Sequence, residues 1–257
     1  MSAPSGATPL AVEWPTPAPV AVRAFFTERR GGVSRAPFDG LNLGAHVGDD
    51  PDAVARNRQW LCDALSLTSP PCWLRQVHGT AVVRIDDLPQ AATPTADAAV
   101  ATVPGRVCAL LTADCLPVLL CDDRGSVVAA AHAGWRGLAD GVIAATVAAM
   151  QCPPERLMAW LGPAISAAAF EVGDEVRDRF LAASAEGAKR GFARNAAGRW
   201  QADLGMLAEN QLRSLGVTAI RRHRACTHTE ADRFFSYRRD GVCGRQASLI
   251  WLAPTDA

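Results

Sequence analysis

Short apolar runs bounded by Gly, Asp and Pro recur along the chain, and between them lie stretches of helical period. VRAFFT (22–27) reads as a strand, as do CWLRQV (72–77), VVRI (82–85), SVVAAA (126–131), LMAWLG (157–162), VTAI (217–220) and QASLIWL (246–252). RVCALLTADC and LPVLLCD are two apolar runs divided by a polar step, and residues 122–125 (DDRG) read as a turn. A helix is expected from Pro51, with Asp50 as its N-cap and Pro51 in the first turn. Its apolar stripe is Val54, Leu61 and Leu65. Arg58 falls on that inward stripe and Asn57 at its edge. Residues 138–150 (LADGVIAATVAAM), 170–184 (FEVGDEVRDRFLAAS) and 203–216 (DLGMLAENQLRSLG) read as further helices. Strands and helices mix from end to end with no repeat and no linker. The expectation is one α/β domain over residues 21–257, after a loose Pro- and Ala-rich lead-in at 1–20. The Gly-rich stretch 28–50 is long for a plain connection, and long loops in compact domains tend to be functional.

Composition narrows the function classes. The 257 residues are 49% hydrophobic and 20% charged, as expected for a globular chain with a substantial core. The 26 basic residues match 26 acidic ones, so charge gives no reason to expect a nucleic acid or an anionic membrane as partner. Lys189 is the only lysine. A Schiff-base lysine or a P-loop is therefore disfavoured, and bound anions fall to arginine or backbone N–H groups. The N-terminal stretch has neither a basic region nor an unbroken apolar one. No run approaches the roughly 18 apolar residues of a membrane helix. A cytoplasmic protein is expected, with its eight cysteines mostly reduced.

Candidate chemistry gathers where apolar runs meet polar loops. His78 follows WLRQV, Cys115 follows VCALL by a short polar step, and His132 follows VVAAA directly. Two imidazoles and a thiolate suit a tetrahedral Zn²⁺ whose fourth position stays free. No short spacing motif joins the three. Ordinary hydrogen-bonded histidines and a buried thiol are the alternative, as is a metal-free pair in which Cys115 is the nucleophile and a histidine its base. Asp114 is a candidate to orient that histidine, although on a strand it would face away from Cys115. HAGWRG places Gly134 and Gly137 around Arg136, a candidate anion contact. FFSYRRDG near the C-terminus carries the only tyrosine, Tyr237, beside Arg238 and Arg239.

Taken together, TERRGGVS, FDGLNLGAHVGDDPDAV, NR at 57–58, WLRQVHG, TADCLPVLL, AAHAGWRGL, AWLGPAIS, FEVGDEV, FFSYRRDG and GRQASLIWL resemble the YfiH-type laccase-domain family, from about Trp14 to Leu252. The resemblance implies a single-domain αββα layered sandwich with mixed sheets. It implies a zinc site at His78, Cys115 and His132, which would also be the catalytic residues. It further implies phosphorolysis of adenosine, inosine, guanosine or S-methyl-5′-thioadenosine, with adenosine deamination beside it. The partners are then a purine nucleoside and phosphate, with Arg58, Asn57, Arg136 and Asn42 as candidate substrate contacts. Alternatives are a hydrolase editing peptidoglycan precursors through the same metal or thiol, a copper-dependent polyphenol oxidase as the family label suggests, and a zinc-stabilised binding protein. Copper is disfavoured by counting, because a four-copper oxidase needs many histidines in His-x-His pairs. This chain has five histidines and no such pair. One departure from the family pattern is His228, where relatives carry tyrosine.

Overall fold

A computed structural model of the chain describes residues 8–183 and 188–254. The first part of the lead-in, Ser184 at the end of one expected helix, and residues 255–257 lie outside them. Two mixed β-sheets pack face to face. The first has the order β1 (Leu10–Ala11), β2 (Val22–Phe26), β14 (Gln246–Leu252), β6 (Cys108–Thr112), β3 (Cys72–Trp73). The second runs β13 (Ala219–Arg222), β9 (Leu157–Leu161), β7 (Leu116–Asp122), β8 (Val128–Ala133), β5 (Ala98–Ala101), β4 (Val82–Arg84). A small third sheet joins β10 (Glu171–Val172), β12 (Trp200–Ala202) and β11 (Phe192–Arg194). Leu10–Ala11, within the expected lead-in, pairs antiparallel with Phe25 and Phe26.

The layering follows from strand alternation, because successive side chains point to opposite faces. Phe26, Leu110 and Ile250 of the first sheet meet Leu119, Val128, Ala130 and Trp160 of the second in the central core. The other face of the second sheet offers Val118, Leu120, Ala129 and Ala131. These pack on α2 (Trp135–Asp140), α3 (Val142–Ala149), α4 (Asp174–Ala183) and α5 (Leu204–Ser214). The outer face of the first sheet, with Ala109, Leu111, Leu249 and Trp251, is covered by Leu61 of α1 (Pro51–Ala64) and by Leu41 and Leu43 of the long loop. The result is the αββα sandwich. Strands buried on both faces explain the unbroken apolar runs VVAAA and LPVLLCD.

Asp50 caps α1 through its side chain, which accepts from the Asp52 backbone N–H, and Pro51 stands in the first turn. The stretch 138–150 is two helices rather than one. Gly141 stands between them in the left-handed region, at φ 100°, and that glycine turns the chain. The segment at 170–184 also differs, since Glu171–Val172 is a strand and the helix starts at Asp174. Among the described residues no helix is long and apolar enough to cross a membrane.

Candidate metal centre

Four elements of the sandwich end at one place. The chain leaves the first sheet at Thr112, crosses at Ala113–Cys115 and enters the second at Leu116. Cys115 is therefore fixed at the start of β7. His132 lies on β8, opposite Pro117 of β7 in the antiparallel register. His78 sits in the loop after β3, with a positive φ of 60°. The donor atoms of His78, Cys115 and His132 lie within 4.8 Å of one another. Cys115 Sγ is 3.8 Å from His78 Nε2. A tetrahedral zinc with ordinary bond lengths needs an N···S edge of about 3.5 Å, so the Cys115–His78 pair fits that ion with slight contraction, and a pair as wide as 4.8 Å would have to close by about 1 Å.

Asp97 holds this arrangement together. It is fully buried and directly precedes β5, the neighbour of β8. Its Oδ1 accepts from the His78 backbone N–H at 2.8 Å and stands 2.9 Å from His132 Nδ1. Its Oδ2 accepts from the backbone N–H groups of Val77 (3.2 Å) and Gly79 (2.7 Å). One carboxylate thus fixes the His78 loop and the His132 ring, leaving His132 Nε2 free to face the centre. Asp114, the candidate from sequence for orienting a histidine, does something else. It stands at φ 92°, accepting from Thr227 Oγ1 and from the Arg238 backbone N–H, both at 2.7 Å.

The electrostatics favour an ionised thiol. Burial works against the Cys115 thiolate, but His132 and then His78 outweigh it and bring its pKa down to about 6. Burial likewise works against a charged His132, yet the Cys115 thiolate and the Asp97 carboxylate raise it to about 9. Burial also opposes ionisation of Asp97, and the hydrogen bonds from His132, Gly79 and Val77 overcome it and hold its carboxyl below the usual range. A deprotonated thiol is what a metal or an electrophile requires.

The backbone of HAGWRG approaches closely. A Cβ at Gly134 would stand 2.8 Å from His78 Cδ2 and 3.0 Å from Cys115 Sγ, and one at Gly137 would stand 2.6 Å from the Gly79 carbonyl oxygen. Gly134→Ala is expected to push His78 and Cys115 apart and weaken any metal binding at the cluster by about 10–100-fold, the scale seen when a group that orients a ligand is lost. Competition with a chromogenic chelator measures this. Unchanged affinity would mean that the close approach does not constrain the ligands.

The three candidate ligands open onto a cavity of about 470 Å³, within the size range of small-molecule sites. Trp135, Phe170 and Tyr237 supply aromatic walls, and Arg136 lines it as well. The other polar candidates lie elsewhere. Asn57 of α1 and Asn42 of the long loop are buried and do not line the cavity. Asn57 Oδ1 accepts from the Val33 N–H at 2.9 Å, and its Nδ2 donates to Ser34 Oγ and the Asn42 carbonyl, each at 2.9 Å. Asn42 Oδ1 accepts from the backbone N–H groups of Gly44 and Arg245. Arg58 donates from Nε to the Leu43 carbonyl at 2.9 Å and stacks over Trp73 at 4.4 Å. All three brace the loop that carries His46 to the cavity. Asn57→Ala should cost about 3 kcal/mol, since it strands buried backbone groups. That is a fall in Tm of roughly 6–12 °C for a chain of this size, read by calorimetry. A fall under about 2 °C would show that water replaces the amide.

Sequence reasoning missed Asp97, His46 and Arg245. The one signal for Asp97 was a lone acid entering the run AAVA, where a buried carboxylate needs several donors. His46 and Arg245 are joined only by the tertiary fold.

A protein of Neisseria meningitidis has the same fold, with a TM-score of 0.89 and 49% sequence identity, over 96% of this chain and all of that one. The structure of YlmD from Geobacillus stearothermophilus matches with a TM-score of 0.83 at 29% identity, over 91% of this chain and 93% of that one. A purine nucleoside phosphorylase of Pseudomonas aeruginosa is 52% identical over 95% of this chain and 98% of its own length. The purine nucleoside phosphorylase YfiH of Escherichia coli is 50% identical over 93% and 97%. His78, Cys115, His132 and nearly all of the sandwich, β1 and the first residue of β2 excepted, fall within residues 23–253, which match the family described as multi-copper polyphenol oxidoreductase laccase, and the chain belongs to that family.

Proposed function

We propose that the chain is a zinc-dependent purine nucleoside phosphorylase. One observation carries this reading: His78, Cys115 and His132 converge, with one face open, on a cavity walled by Trp135, Phe170 and Tyr237. The names of relatives about half identical along nearly the whole chain support it. Adenosine, inosine, guanosine and S-methyl-5′-thioadenosine are the proposed nucleosides. Flat aromatic walls suit a purine ring, which stacks through its face. Zinc held by the three ligands would supply Lewis-acid polarisation of an oxygen. The chain's own part is to hold the thiolate and both imidazoles in place through Asp97, and to keep the base and sugar in a fixed orientation. Attack of water at C6 of adenosine, with loss of ammonia, would give inosine as a second product.

Zinc is preferred to copper despite the family's description. The five histidines contain no His-x-His pair, and the described residues hold a single cluster of three possible ligands. All eight cysteines are free thiols, which suits the cytosol.

The test is to incubate the zinc-loaded protein with adenosine, with and without phosphate. The expected result is ribose 1-phosphate and adenine only when phosphate is present, with some inosine in both. Absence of all three products would sink the reading.

A further inference from the structure

The cavity beside the metal ligands is lined by three arginines and one carboxylate, Asp114. Both oxygens of that carboxylate are already engaged, by Thr227 and by the Arg238 backbone. Among the described residues none of the three guanidiniums has an acidic partner. Arg136 stacks over Trp135 at 4.4 Å and makes no hydrogen bond there. Arg238 lies over Phe170 at 5.2 Å and donates once, to the Glu171 carbonyl at 3.1 Å. Arg245 donates from one nitrogen to the Cys243 and Gly244 carbonyls, both at 2.9 Å, and stands 6.0 Å from the Tyr237 ring. His46 lines the same cavity. Burial, then the charges of Arg245 and Arg58, hold its imidazole below the ordinary range, so near neutral pH it is an uncharged donor.

A second cavity shows that this is not the general habit of the chain. It is larger, about 920 Å³, and lies between the β9–β13 edge and α5. Three of its arginines are matched by acids of the same cavity: Arg221 with Glu13 at 2.9 Å, Arg222 with Asp203 at 2.6 Å, and Arg233 with Glu230. Among the described residues Arg224 alone of that cavity's arginines lacks an acidic partner, so an anion held there by more than one guanidinium would have to displace a carboxylate. In the smaller cavity the guanidiniums are unopposed, stacked on aromatic rings and partly unbonded. That state favours a tetrahedral oxyanion, which guanidinium groups bind through paired N–H donors.

We propose that Arg136, Arg238 and Arg245, with His46, form an oxyanion subsite that holds the inorganic phosphate co-substrate. This rests on the phosphorolysis reading, under which the reactants are a neutral nucleoside and one anion. Unneutralised arginines have little to offer the former. Phosphate held there faces the sugar of a nucleoside stacked on the aromatic walls. One phosphate oxygen bonds to C1′ and the C1′–N9 bond breaks. The electron pair of that bond goes to the base, and the proton carried by phosphate ends on it. The products are ribose 1-phosphate and the free purine, and no other reactant is needed.

The test uses zinc-loaded full-length protein and the single variants Arg136→Gln, Arg238→Gln and Arg245→Gln. With adenosine saturating, KM for phosphate is expected to rise by about 10–100-fold in each, the range for loss of a hydrogen bond to a charged group. KM for adenosine and zinc content should stay close to wild type. If all three variants keep the wild-type phosphate KM while phosphorolysis proceeds, the subsite is refuted and the phosphorylase reading stands. Calorimetric titration with inorganic phosphate needs no turnover. Phosphate binding that weakens in the variants supports the subsite even if no ribose 1-phosphate forms, and in that case only the phosphorylase reading falls. Adenosine 5′-monophosphate separates the two sources of the anion. Binding of the nucleotide that is tighter than that of inorganic phosphate, and lost in the variants, would overturn the assignment to free phosphate. Arg245 also props its own loop, so Arg136→Gln, which breaks no backbone contact, keeps the question decidable if Arg245→Gln fails to fold.

Discussion

Cys115→Ser protein is expected to purify without stoichiometric zinc and to lose phosphorolysis by on the order of 10³-fold. That corresponds to about 4 kcal/mol of barrier, the scale of charge stabilisation that a bound cation contributes. A serine hydroxyl stays protonated where the thiol, brought to about 6, is ionised. It therefore offers a weak, neutral ligand in place of a thiolate. The same change removes the negative charge that keeps His132 protonated in the metal-free centre, so His132 should titrate at lower pH in the variant. The side chains differ by one atom, and large loss of stability is not expected. Zinc content by atomic spectroscopy and product formation should be measured on one preparation. Loss of both supports a metal centre. Retention of zinc with loss of turnover would instead make Cys115 the nucleophile, with His78 or His132 as its base.

Much of the frame was legible because it rests on period. Strands buried on both faces leave continuous apolar runs, and QASLIWL matches β14 residue for residue. Asp50-Pro51 marked the start of α1 because capping is local chemistry. Helical spacing placed Arg58 on the inward stripe and Asn57 at its edge, whereas Asn57 is the fully buried one and Arg58 is half-buried; that both flank the packed face was readable. Their partners were not, since period gives a face and says nothing of what lies opposite it. Ala98–Ala101 was missed as a strand because alanine carries little β preference. With it went the register that sets Asp97 beside His132, where the His132 N–H meets the Asp97 carbonyl at 2.7 Å. The convergence of His78, Cys115 and His132 could be suspected from their places at run ends. The arginines opposite them come from the first turn of α2 and the chain's C-terminal segment, and only the folded sandwich brings these together.

Asp97→Asn tests the most demanding residue of the centre. The carboxylate faces four N–H donors and needs no donor of its own. An amide of the same shape accepts on one side only, and on the other its NH₂ confronts two N–H groups. With Oδ1 retained toward His78 and His132, the Val77 and Gly79 amides lose their acceptor and the loop carrying His78 loosens. In the flipped orientation His132 loses the partner that fixes its tautomer. Either way one ligand is released, and zinc affinity should fall by about 10–100-fold. Stability should fall as well, by about 4 kcal/mol for two buried bonds to a charged acceptor, or roughly 8–16 °C in Tm. The pH dependence gives an independent sign. The folded carboxyl titrates below its ordinary range. Its stabilising effect is therefore complete above the unfolded value near pH 4 and drains away as pH falls through the depressed folded value. Asparagine has no such titration, so the variant's Tm should decline less steeply on acidification below about pH 4. A variant with wild-type Tm, wild-type zinc affinity and an unchanged acid limb would mean that the His78 loop and the His132 ring are held by packing alone, and that the carboxylate between them is dispensable.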